Sequence, residues 1–173
     1  YNQRIRHPGG FRMPLPPTER IWPTATAKAM FSVFKGVHEN VVVEGEDVMR
    51  LVTLRSHDQY NTTIYAMDDR YRGVFGRRDV LFMNEQDMAA QGLEHGDRVD
   101  IHTALPGSAL TLRDITVVAY GIAPGTVGAY YPEANVLVPL NYLDEESGTP
   151  SYKSVPVRLT LRSKEIRPLA GGR

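Results

Sequence analysis

From residue 48 to residue 162 the chain is cut into short apolar or alternating runs, each closed by a turn or a polar loop. Residues 48–54 and 80–83 read as buried strands. Val99, Ile101 and Thr103 alternate with Arg98, Asp100 and His102, the pattern of a half-buried strand. Residues 110–112 and 115–120 supply one or two strands more, and residues 126–131 another. A last alternating run covers 155–161, where Pro156 favours an edge position. His95-Gly96-Asp97, Pro106-Gly107 and Pro124-Gly125 turn the chain between these runs. Many short strands leave many open edges, and closing the sheet on itself removes them. The expected fold is therefore a β-barrel.

One short helix interrupts the strands. Asn84 follows the 80–83 run and suits an N-cap, with Glu85, Gln86 and Asp87 in the first turn. Gly92 suits the left-handed stop, so the helix spans about two turns. Residues 26–33 predict a first strand, diluted by Ala and Lys, and residues 36–46, with Val41-Val42-Val43, are a short strand or a loop. Residues 136–140 are a short apolar stretch. Five prolines make residues 1–25 an extended arm, and residues 163–173 a frayed tail. The barrel is thus expected over 26–162.

Composition excludes several functions. The chain holds no cysteine, which removes disulfides, a thiol nucleophile and cysteine-held clusters from it. Lys plus Arg equal Asp plus Glu at 20 each, against a non-specific nucleic-acid binder or a polybasic membrane anchor. No apolar run approaches the ~20 residues of a membrane span, and the polar, Pro-rich start does not read as a secretory leader. A cytoplasmic location is expected. The first residue is Tyr, as in a fragment of a longer protein.

The strand at 48–54 runs into an unusual loop, Thr53-Leu54-Arg55-Ser56-His57-Asp58-Gln59-Tyr60-Asn61-Thr62-Thr63. Most of these residues carry a hydrogen-bonding or charged group, and the loop lacks the Gly and Pro of ordinary turns. Such a mixed set of donors and acceptors suits a heteroatom-rich ligand such as a nucleotide. A solvated turn between strands is the alternative. Ser56-His57-Asp58 does not read as a hydrolytic triad, because consecutive residues in extended chain face opposite ways. His57 is instead a ligand-facing hydrogen-bonder or a surface residue. The five histidines are scattered without ligand-pair spacing, so no metal site is expected within the chain. Arg70, Arg72, Arg77 and Arg78 cluster near Tyr71 and Phe75. A solvated loop paired with Asp68, Asp69 and Asp79 is favoured there over a surface for another domain or an anionic ligand.

Residues 51–55 through Asn61-Thr62 resemble the cofactor loop of the C-terminal domain of molybdopterin oxidoreductases. Residues 80–93, followed by Gly96-Asp97-Arg98-Val99, resemble the strand–helix–turn–strand unit of that domain. Residues 122–127 resemble its next turn, and Asn141-Tyr142-Leu143 its late asparagine motif. The wording of the loop is most similar to the formate-dehydrogenase-like alpha subunits. The resemblance implies a mainly β, double-psi β-barrel of the aspartate-decarboxylase-like class with short helices. It implies binding of molybdopterin guanine dinucleotide, with molybdenum and any iron–sulfur cluster held by other domains of the parent oxidoreductase. Those domains are then its partners, and the fragment alone is expected to be inactive.

On that reading Arg55 pairs with phosphate through its guanidinium fork, and Thr53 and Ser56 bond phosphate or ribose oxygens. Asp58 accepts from guanine N–H groups, while Gln59, Asn61 and Thr62 serve the pterin or guanine edge. Residues 130–132 to Asn141 form the far wall, with Asn141 as a hydrogen-bonding partner. Lys153 sits where the family often places another cofactor contact. Two other functions fit a double-psi barrel: a non-catalytic protein-recognition module, which needs an exposed apolar groove, and a pyruvoyl-dependent decarboxylase, which would cleave itself at Gly107-Ser108. At Gly107-Ser108 a plain turn after Pro106 is favoured.

Overall fold

The structure, a computed structural model, describes residues 6–11, 15, 19–31, 45–61, 63–144 and 147–164. It divides into two units, Tyr1–Val41 and Val42–Arg173. In the first, the described residues are turns, bends and irregular chain apart from Glu19, which is helical and donates to the Leu15 carbonyl at 3.1 Å. The strand expected from residue 26 does not form over residues 26–31. Ala27 takes a left-handed φ of 53°, its N–H closing a turn onto the Thr24 carbonyl at 3.0 Å. The remainder of that expectation, and the 36–44 part of the next, lie outside the described residues.

The second unit contains a closed barrel of six strands: β1 (Met49–Leu54), β2 (Val80–Met83), β3 (Arg98–Thr103), β4 (Thr111–Ala119), β5 (Thr126–Tyr130) and β6 (Val155–Ser163). Their order around the barrel is β1-β5-β2-β4-β3-β6. Two pairs are parallel: β1 with β5, from Arg50 opposite Thr126 to Leu54 opposite Tyr130, and β2 with β4, from Val80 opposite Thr116 to Met83 opposite Ala119. The other pairs are antiparallel. This is the β-barrel that the strand pattern predicts, and the mainly β, double-psi form that the family resemblance implies. The 110–120 region is one strand, not two. A register shift between Val99 and Ile101, with Asp114 at φ 62°, absorbs the break in its alternation.

Closure also relocates Pro156. It is not on an edge, because β6 pairs with β1 on one side and β3 on the other. Its carbonyl accepts from Ala104, just past the end of β3. Backbone N and C=O of one extended residue face the same neighbour, so the missing proline donor falls where that ladder has ended.

Leu51, Leu81, Met83, Val99, Ile101, Val117 and Val127 fill the barrel interior and are fully buried. Val74, Val80, Phe82, Val118 and Tyr130 form a second cluster. β2 is therefore buried along its whole length, as its unbroken apolar run indicates. The helix α1 (Glu85–Ala90) starts as expected, the Asn84 side chain accepting from Gln86 N at 2.8 Å. A 3-10 helix, Glu133–Leu137, takes up the first two residues of the 136–140 stretch.

Candidate functional site

The parallel pairing of β1 with β5 brings two strand ends together. Tyr131 N donates to the Leu54 carbonyl at 2.7 Å, and Thr53 N donates to the Tyr152 carbonyl at 3.2 Å. Three segments thus meet, and they enclose a cavity of about 190 Å³ lined by Thr53, Leu54, Arg55, Tyr131, Tyr152 and Lys153. The Lys153 ammonium reaches across a hundred residues of sequence to donate to the Thr53 carbonyl. Partial burial, with the Arg55 charge beside it, holds that ammonium below the usual lysine value. Tyr131 and Tyr152 meet edge to face at 5.8 Å. The lining holds two cations and no carboxylate, so it is suited to an anionic group. Of the residues singled out from the sequence, Thr53, Arg55 and Lys153 are brought together here. Tyr131 lines this cavity, whereas Tyr130 is buried in the second core cluster.

The rest of the loop faces two ways. Ser56 and Gln59 turn inward. The Gln59 carbonyl oxygen accepts from Ser56 N at 3.0 Å, and its amide donates to the Asn61 and Tyr131 carbonyls at 3.2 and 2.8 Å. Asp58 and Asn61 hold left-handed φ values of 61° and 57°, a conformation these two residue types tolerate, and both are exposed. Asp58 lies 2.9 Å from Arg70 and 3.1 Å from the His57 ring, and His57 stands edge-on to Tyr71 at 4.1 Å. Thr62 lies outside the described residues. Asn141 lines a separate cleft of about 550 Å³, between residues 105–110 and 135–142. Among the described residues no cluster of His, Asp or Glu has the arrangement of a metal site.

The charged 68–79 loop is only in part the solvated turn favoured from its sequence: Asp68, Arg70 and Tyr71 are exposed. Asp69 and Arg78 are buried. Asp69 accepts from the Tyr130 hydroxyl and from Arg72, and Arg78 reaches Glu133. Two of the expected local pairs do form, Arg72 with Asp69 at 2.6 Å and Arg77 with Asp79 at 2.5 Å. Local composition does not reveal the burial, because the covering groups lie 55 to 61 residues away. Tyr152 and Glu133 were not anticipated, and neither sits in a run whose spacing marks it.

Residues 49–156 match the family described as "Molydopterin dinucleotide binding domain". The chain belongs to this family. As a molybdopterin dinucleotide binding domain it is 44% identical over 162 residues to Protein YdeP of Escherichia coli K12. It is 46% identical over 165 residues to an uncharacterized oxidoreductase of Mycobacterium tuberculosis. Each alignment covers 92% of this chain and 21% of the relative, so this domain spans about a fifth of the length of either protein. Among solved structures, acetylene hydratase from Pelobacter acetylenicus aligns with 66% of this chain and 18% of its own, at 16% identity and a TM-score of 0.47. The basic cavity of this domain fits the family's ligand in one respect: a dinucleotide carries a diphosphate, and Arg55 with Lys153 offers two cations to it. At about 190 Å³ the cavity accommodates part of such a molecule, not all of it.

Proposed function

We propose that this chain is the C-terminal, guanine-dinucleotide-binding barrel of a cytoplasmic, formate-dehydrogenase-like molybdenum oxidoreductase. The carboxylate-free pocket of Arg55 and Lys153 carries this reading. Arg55, Lys153 and Thr53 hold the diphosphate. The exposed side chains of Asp58 and Asn61, with the half-buried His57, face the nucleoside or pterin, and Asn141 a more distant part of the ligand. The bound cofactor supplies the redox chemistry, while this barrel orients its tail and catalyses nothing alone. Cysteine is absent here, so cysteine-held clusters of the parent belong to its other domains. The name of the Mycobacterium relative supports an oxidoreductase parent, and the loop wording supports the formate-dehydrogenase-like branch.

The test is to purify the full-length parent and identify its pterin, nucleotide and metal by mass spectrometry. Arg55→Ala should lower bound nucleotide by about tenfold. Unchanged nucleotide and metal content would remove Arg55 from the site.

The cleft beside Asn141 favours a second reading in part. Its walls are largely apolar and Leu140 is 98% exposed, the groove that a protein-recognition barrel needs. A parent that purifies without any pterin would favour that reading.

A further inference from the structure

Beneath the candidate cofactor loop lies a buried cation. Arg78 is 5% exposed, and its guanidinium makes five hydrogen bonds. Two go to Glu133, at 2.5 and 3.0 Å. The others go to Ser56 Oγ at 2.6 Å, Gln59 Oε1 at 3.3 Å and the Tyr131 carbonyl at 2.8 Å. The guanidinium carbon lies over the rings of Tyr65 and Tyr130, 4.3 and 4.8 Å from their centroids. One side chain therefore joins the loop after β1, the chain after β5 and the 3-10 helix.

We infer that Arg78 is a positioning residue: it shapes the 56–61 turn from below, before any ligand arrives, and so aims Arg55 and Asn61 outward. Ser56 and Gln59 then serve the loop and not the ligand. Their polar atoms are engaged by Arg78, by Tyr131 and by each other. A fork is needed for this, because a lysine ammonium is a point charge without the planar spread of donors. Preorganisation of this kind removes an ordering cost at binding.

The inference rests on the proposed cofactor role of the loop, and two measurements separate the two. In the full-length parent stripped of cofactor, Arg78→Lys should speed amide exchange at Ser56, Gln59 and Tyr60 by about tenfold, leaving amides in β2 and β4 near wild type. A general loss of structure would move all of them alike. In the loaded parent, the same variant should lose bound nucleotide about tenfold faster on gel filtration. Ser56→Ala, at a buried position, should act in the same direction more weakly, and it carries the test if Arg78→Lys does not fold. Wild-type exchange at the three loop amides in a folded variant overturns the inference, even if nucleotide is lost. If Arg55→Ala keeps its nucleotide, the pocket reading falls, and the exchange data alone still decide what Arg78 does.

Discussion

The Tyr130 hydroxyl donates to the Asp69 carboxylate at 2.9 Å, and both residues are almost fully buried. Asp69 also holds Arg72 at 2.6 Å, and Arg72 in turn donates to the Arg55 carbonyl at 3.1 Å. A core tyrosine at the end of β5 is thereby linked to the backbone of a candidate ligand residue. Tyr130→Phe keeps the ring packing on Phe82 but removes one donor from a buried carboxylate. It should destabilise this chain by about 1–3 kcal/mol. Urea unfolding checks this: the midpoint should fall with the slope unchanged.

Asp69 also predicts an acid response. Burial raises its pKa, but the hydrogen bonds from Arg72 and Tyr130 outweigh burial and leave it below the ordinary 3.8. A carboxylate lowered on folding contributes stability that is full above its unfolded pKa and fades as pH falls through its folded one. Asp79 and Asp100 are lowered too, so the comparison must be with a variant. Asp69→Asn should flatten the loss of stability below about pH 4 relative to wild type, while costing about 1–3 kcal/mol at neutral pH by removing the charge that Arg72 faces. Denaturant midpoints across pH 2.5–7 (roughly the window of such carboxylates) check the sign.

Lys153 predicts an alkaline response. Burial and then Arg55 lower its pKa from 10.5, so it discharges earlier than an exposed lysine. Its attraction for an anion is present below that lowered pKa and lost as pH rises through it. Nucleotide retention in the parent should therefore weaken on the alkaline side before pH 10.5. Lys153→Arg, which stays charged, should move that loss to higher pH. Nucleotide release measured against pH distinguishes the two.

Gly128, in β5, leaves room for Leu54 at the base of the loop. A Cβ there would lie 2.7 Å from Leu54 Cδ1 and 3.5 Å from Ile122 Cδ1. The Leu54 tip is movable, so Gly128→Ala should cost only about 1 kcal/mol, and the bulkier Gly128→Val about 2–3 kcal/mol. Thermal unfolding of the two variants side by side checks the order.

Much of the barrel was legible as letters. The alternation in β3, the apolar run of β2 and the Asn84-to-Gly92 helix are local patterns, set by residues within a few positions of each other. The strand expected at residue 26 failed because nothing in its composition forbids the turn that Ala27 makes. Pro156 was misplaced because edge and interior differ only once the sheet closes.

The sequence by itself determined where the strands and helix lie, which loop is rich in polar groups, and which family the chain joins. Each of these depends on neighbours along the chain. Tertiary structure alone decided which of those polar groups look outward. Lys153 meets Thr53 across a hundred positions, and Arg78 meets Ser56 and Glu133 across 22 and 55. Such meetings are created by parallel pairing and barrel closure, and a buried charge is stable only where those long-range partners converge.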